Sequence, residues 1–128
     1  MPDTLLDTNI VVYLFKQEKK YIDFVEKLGE KDTGISVLTY MEALIGAHND
    51  REEQMIRAFL DQFEVVPLSV GIARQAATWI RRKKLRGLRH PGTADVMIGQ
   101  TALFLGIPLI TNNPKDFAGF TGLKTVVP

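Results

Sequence analysis

The chain has 128 residues, of which 45% are apolar and 24% charged, the profile of a globular protein long enough to bury a core without staples. It contains no cysteine and only two distant histidines, His48 and His90, which excludes disulfides, thiolate catalysis and cysteine-ligated zinc and leaves a histidine site or Ser/His/Asp triad little to build on. The formal net charge of +1 does not announce a nucleic-acid binder, and no apolar stretch reaches the roughly 18–20 residues of a membrane span.

Along the chain, short apolar runs alternate with longer amphipathic ones. Thr4–Leu6 reads as a strand and Asn9–Phe15 as an apolar helix. Tyr21–Leu28 follows as a second helix, with Ile22, Val25 and Leu28 near helical spacing. Thr33–Ser36 is a strand, and Ser36 can cap the helix Val37–Ala47. Another helix covers Arg51–Gln62, with Met55, Ile56, Phe59 and Leu60 on one face. Glu64–Pro67 is a third strand. Val70–Lys84 is a helix with Ala73, Ala76, Ala77 and Ile80 inward and Trp79 as a core residue. Thr93 is expected to cap the helix Ala94–Leu105, and Gly106 to stop it. Pro108–Thr111 and Lys124–Val127 supply the last strands. Short strands separated by helices require crossover connections, so an α/β three-layer domain with a mainly parallel sheet is expected. There is no repeat and no dividing linker, and residues 1–128 read as one domain. The start, Met1-Pro2-Asp3, lacks the basic and long apolar regions of a signal peptide, so a cytoplasmic location is expected.

Most of the fifteen acids fall on polar helix faces or loops, where solvation accounts for them. Four need a further account. Asp7 directly follows the strand Thr4–Leu6, the position at which open α/β sheets bind ligands; it is equally placed to cap the next helix. Glu42 borders an apolar stripe of Val37, Leu38, Met41, Leu44 and Ile45, where it either faces a site or snorkels to solvent. Asp95 lies in a helix that is apolar nearly all round, and a carboxylate there requires a cation or several hydrogen bonds. Its place in the first turn also suits the helix dipole. Asp116 follows the strand Pro108–Ile110 within Asn112-Asn113-Pro114-Lys115-Asp116, which turn chemistry alone can explain. Acids converging without His or Cys form a hard-oxygen environment suited to Mg²⁺ or Mn²⁺. Without a metal they would repel one another and take up protons. Phosphodiester hydrolysis is the usual employment of such a site.

At these residues the sequence resembles the PIN-domain nucleases and, among them, the VapC toxins of toxin–antitoxin pairs. The resemblance rests on Leu5-Leu6-Asp7-Thr8-Asn9, on Ser36 to Ala47 around Glu42, on Ala94-Asp95-Val96-Met97-Ile98-Gly99-Gln100-Thr101-Ala102, and on Ile110-Thr111-Asn112-Asn113-Pro114-Lys115-Asp116-Phe117. Order, spacing and total length agree over essentially the whole chain. The resemblance implies a parallel five-stranded sheet and an acidic pocket for Mg²⁺ or Mn²⁺. It places Asp7, Glu42 and Asp95 on the family's three most regular acidic positions. Relatives carry the fourth acid either where Asn113 stands or where Asp116 stands; Asp116 is assigned, with Asn113 as a neutral supporting contact. Thr8 and Thr111 match positions whose hydroxyls support the site. Relatives of this kind cleave RNA, form dimers and are silenced by a cognate antitoxin.

The mechanism implied is hydrolysis in which Asp7 and Asp95 hold a divalent ion, Glu42 and Asp116 complete its surroundings, and water attacks phosphorus in line, giving a 5′-phosphate and a 3′-hydroxyl. Six of the sixteen Lys and Arg residues, Arg81, Arg82, Lys83, Lys84, Arg86 and Arg89, are packed into one run. They are expected to hold the RNA backbone, since an acidic pocket alone would repel a polyanion. The alternative is a solvated helix end complementing the dipole. A phosphoacceptor receiver domain has the same architecture, but Leu6 precedes Asp7 where that class pairs two acids, and Val66-Pro67-Leu68-Ser69 supplies no acceptor Asp. A non-catalytic RNA- or protein-binding module is the remaining alternative.

Overall fold

The computed structural model describes residues 1–29 and 31–128. Five strands, β1 (Thr4–Leu6), β2 (Thr33–Ser36), β3 (Glu64–Val66), β4 (Leu109–Ile110) and β5 (Thr125–Val126), form one sheet in the order β3-β2-β1-β4-β5. Every pairing is parallel. Six helices connect them: α1 (Thr8–Phe15), α2 (Lys19–Lys27), α3 (Val37–Ile45), α4 (Asp50–Leu60), α5 (Val70–Leu85) and α6 (Thr93–Leu105). This is the expected three-layer α/β fold.

Alternation along the strands builds the layers, because successive side chains leave a strand on opposite faces. Leu6 and Ile110 point to one face, where Ile10, Leu14, Tyr21, Ala43, Ile56 and Leu60 from the first four helices close over them. Leu5 and Leu109 point to the other, against Ala76 of α5 and Val96, Ile98 and Ala102 of α6. Each of these four strand residues is 1% exposed or less, worth about 1.5–3 kcal/mol apiece.

The helix ends follow local chemistry, with some departures from expectation. Ser36 Oγ accepts from Leu38 N–H and caps α3. Asn49 caps α4 through Glu52 N–H, which starts that helix at Asp50. Thr93 is the first residue of α6 and not its cap: Gly92 precedes it, and no side chain caps that end. Gly106 does end α6, in the left-handed conformation at φ 68° that glycine adopts without strain.

Two expected faces are rotated. On α3 the residues toward the core are Thr39 and Ala43, while Val37, Met41 and Ile45 are exposed. On α5 they are Ile72 and Ala76, with Ala77 exposed. Both helices are apolar on more than one side, so composition did not single out the stripe that faces the sheet. Met55 is likewise exposed. Trp79 lies at the surface edge, half-buried, because Phe120 covers one side of its ring at 4.4 Å between centroids. Among the described residues no helix is long and apolar enough to cross a membrane.

Candidate active site

The strand order places β1 beside β4, with the chain leaving β1 toward β2 on one side and β4 toward β5 on the other. At such a reversal the loops diverge and leave a crevice beyond the carboxyl ends of the strands. Asp7 and Thr111 are the residues that immediately follow β1 and β4.

Asp7 is buried, and both of its oxygens are engaged. Oδ1 accepts from the backbone N–H of Thr8 at 2.8 Å, and Oδ2 accepts from Thr111 Oγ1 at 2.7 Å. Thr111 Oγ1 in turn accepts from the backbone N–H of Asn113 at 3.0 Å. Asp7 is therefore both the cap of α1 and a fixed member of the crevice. As a cap it reaches only Thr8, the first helical N–H, and not the second or third that caps favour. Burial pushes its carboxyl above the ordinary value; the bonds from Thr111 and Thr8 pull it down, and the charge of Asp116 pushes it up again. The net direction is upward.

Thr8 ties Asp7 to Glu42. Its hydroxyl donates to Glu42 Oε1 at 2.8 Å and lies 3.0 Å from Thr39 Oγ1. A hydroxyl has one proton, so Thr39 must donate to Thr8. The fully buried Thr39 thus orients a chain that ends on a half-buried glutamate. Its position three residues before Glu42, on the same helical face, is the signal that could have drawn attention to it.

Asp95 stands half-buried in the first turn of α6. Its carboxyl is pushed up to about 6, first by burial and then by the charges of Asp7, Glu42 and Asp116. All four acids therefore share one electrostatic neighbourhood. Asp116 is exposed and belongs to a 3₁₀ turn, Pro114–Phe117, that the sequence pattern did not reveal. The turn is held by Phe117, which packs so closely on α6 that a Cβ at Gly99 would come within 2.8 Å of its ring. Asn113 is exposed and precedes this turn.

Among the described residues, no Lys or Arg forms an ion pair with any of the four acids. The oxygen-only donor set with no protein counter-charge fits a hard divalent cation. Equally, no three acids or histidines among the described residues are drawn together tightly enough to hold an ion directly.

Two grooves adjoin the acids. An apolar cleft of about 360 Å³ runs between α1, α3 and α4, past Val11, Phe15, Ile56 and Phe59, and reaches Glu42. An open groove of about 410 Å³ includes Asp116 with Trp79, Lys83, Arg89, His90 and Lys115. The basic run is divided by this geometry. Arg81 and Lys84 line a separate groove between α5 and α6, beside Thr93 and Met97. Arg82 and Arg86 line a third, beside Gln100 and Leu103, and Lys83 with Trp79 forms the ridge between it and the Asp116 groove, lining both.

A parallel sheet with acids gathered at the β1/β4 reversal defines a class, and the chain belongs to the PIN-domain family, whose profile matches residues 4–122. Within that family its similarity is to VapC ribonucleases. It is 35% identical over 126 residues to Ribonuclease VapC1 of Haemophilus influenzae (strain R2866), covering 94% of this chain and 93% of that protein. It is 29% identical over 125 residues to the tRNA(fMet)-specific endonuclease VapC of Shigella flexneri, covering 94% of each. Among solved structures, a toxin–antitoxin complex from Klebsiella pneumoniae superposes with a TM-score of 0.77 at 32% identity, covering 96% of this chain and 95% of that one.

Proposed function

We propose that this chain, as a single PIN domain over residues 1–128, is a Mg²⁺- or Mn²⁺-dependent endoribonuclease, the toxin of a toxin–antitoxin pair. The observation that carries the reading is the gathering of Asp7, Glu42, Asp95 and Asp116 beyond β1 and β4 with no Lys or Arg paired to any of them among the described residues. Burial, and then the charges of the other three, push the Asp95 carboxyl up. Uncompensated acids of this kind repel in the free protein and are relieved by a cation.

Asp7 and Asp95 are the residues that would hold the ion, with Glu42 and Asp116 contributing directly or through water. Ligation partly through water agrees with the loose spacing of the acids, since Mg²⁺ keeps several waters and takes one or two carboxylates. When bound, the cation would neutralise charge developing on the phosphate and make water more acidic. The chain's own residues supply the positioning. Thr111 and the Thr8 N–H fix Asp7 from both sides. Thr8 holds Glu42 at Oε1, leaving Oε2 to orient and deprotonate the attacking water. Water oxygen bonds to phosphorus, the P–O3′ bond breaks, and the 3′ oxygen takes up a proton, which yields a 5′-phosphate and a 3′-hydroxyl.

The test is cleavage of RNA by the whole protein with added Mg²⁺ or Mn²⁺. EDTA or Asp95→Asn is expected to lower the rate by at least about 100-fold. Undiminished cleavage in either condition would refute the scheme. The same reading includes a cognate antitoxin, whose binding is measured as loss of that cleavage on mixing. The apolar cleft ending at Glu42 supplies a place from which an inhibiting segment could reach the acids.

A further inference from the structure

Lys83 differs from the rest of the basic run. It is half-buried, while Arg81, Arg82, Lys84, Arg86 and Arg89 are exposed. Its Nζ sits 5.0 Å from the centre of the Trp79 ring. Gly119 lies so close beneath that a Cβ there would stand 3.1 Å from Nζ and 3.2 Å from the indole. The indole is itself fixed, stacked on Phe120 at an interplanar angle of 8° and donating from Nε1 to Gly119 O at 3.3 Å. A lysine usually loses much rotamer freedom when it grips a ligand. Here the contacts with Trp79 and Gly119 already restrict that freedom.

The other cations of this groove point to the same ligand chemistry. Lys115 and Arg89 share the groove, and neither they nor Lys83 pairs with an acid among the described residues. His90 Nδ1 lies 2.6 Å from Pro91 O. A carbonyl only accepts, so Nδ1 carries the proton, and Nε2 becomes a second donor when the ring is charged. Three cations without an ion-pair partner among the described residues and a histidine thus line one groove with a single acid, Asp116, which is also part of the candidate active site.

We propose that this groove is a subsite for the phosphate backbone of RNA, joined to the candidate active site through Asp116, with Lys83, Arg89, His90 and Lys115 as its contacts. The proposal rests on the nuclease reading and narrows the RNA contact to four residues. The clustered acids repel a polyanion, and a cationic surface that shares a wall with them is what can offset this. Arg81 and Lys84 line a groove bordered by neither Asp95 nor Asp116. The ligand is backbone and not base, because the Trp79 ring is covered by Phe120 on one side and approached by Lys83, so it offers no free stacking platform.

The test is anisotropy of labelled oligouridylate and oligoadenylate with the whole protein in EDTA, over a salt series. Lys83→Met with Lys115→Met removes two charges while the Met stem keeps its place over Trp79, whose fluorescence, from the chain's only tryptophan, monitors that packing. Lys115→Met alone avoids the packed residue. The pair should weaken both oligonucleotides equally, by about tenfold or more near 0.1 M salt, and reduce the salt slope by about 1.4. Arg81→Met with Lys84→Met should change affinity less than about twofold. Equal losses from the two pairs, no loss from the groove pair, or loss confined to one base would overturn the subsite. Binding in EDTA is read separately from cleavage in metal, so failure of one is distinguishable from failure of the other.

Discussion

Asp95 has an ordinary carboxyl value near 3.8 when unfolded and about 6 when folded, so between these values the folded chain holds more protons than the unfolded one. Stability of the metal-free protein therefore falls as pH rises through this window and is regained on acidification. The full shift corresponds to about 3 kcal/mol; for a half-exposed group screened by solvent, roughly 1 kcal/mol is expected. In EDTA, the midpoint of thermal unfolding should be higher at pH 5 than at pH 7.5, and Asp95→Asn should flatten that difference while abolishing cleavage. A melting point that climbs with pH across this range would contradict the assignment. Thr111→Val probes the other end of the site at equal volume. It strips the donor from Asp7 Oδ2 and the acceptor from Asn113 N–H. A loss of about 1–3 kcal/mol in chemical denaturation is expected, with a further rise of the Asp7 carboxyl value.

At the scale of elements, the alternation of strands and helices was legible because each strand is a short apolar run and each helix is long enough to show its period. What was not legible depended on partners distant in the chain. Thr39 looks like any helical threonine until Thr8, 31 positions earlier, is placed against it. The turn that carries Asp116 spans four residues, too few to show a period, and is fixed by Phe117 meeting Gly99. The exposed Val37, Met41 and Ile45 show the limit of an apolar stripe as a guide, since α3 offers two. Asp95 stood out because an apolar helix accounts poorly for an acid. Asp7, equally readable as a helix cap, and Glu42, at the edge of a stripe, were singled out only with their motifs. Gly99→Ala follows from the same contact between α6 and the turn. Its Cβ should overpack Phe117, destabilise by about 1–3 kcal/mol and displace Asp116. The check is a paired measurement of unfolding and cleavage, with cleavage falling further than the fraction unfolded explains.

Over the whole molecule, the surface of α3 bears on assembly. We propose that the expected homodimer forms through the apolar side of α3, where Val37, Met41 and Ile45 are 37%, 49% and 73% exposed. Sedimentation should find a dimer that Met41→Lys with Ile45→Lys converts to monomer. A wild-type monomer, or a dimer indifferent to both changes, would place the contact elsewhere or remove it.

The bond from Thr111 to Asp7 joins residues 104 positions apart, and Asp116 comes later still. During synthesis, at about 5–20 residues per second, Asp7 waits for 104 further residues before its second oxygen can be satisfied. Any fragment released before Thr111 lacks both that donor and the fourth acid. A chain interrupted just before Thr111 is therefore expected to carry Asp7, Glu42 and Asp95 without the hydroxyl that fixes Asp7 in the proposed site.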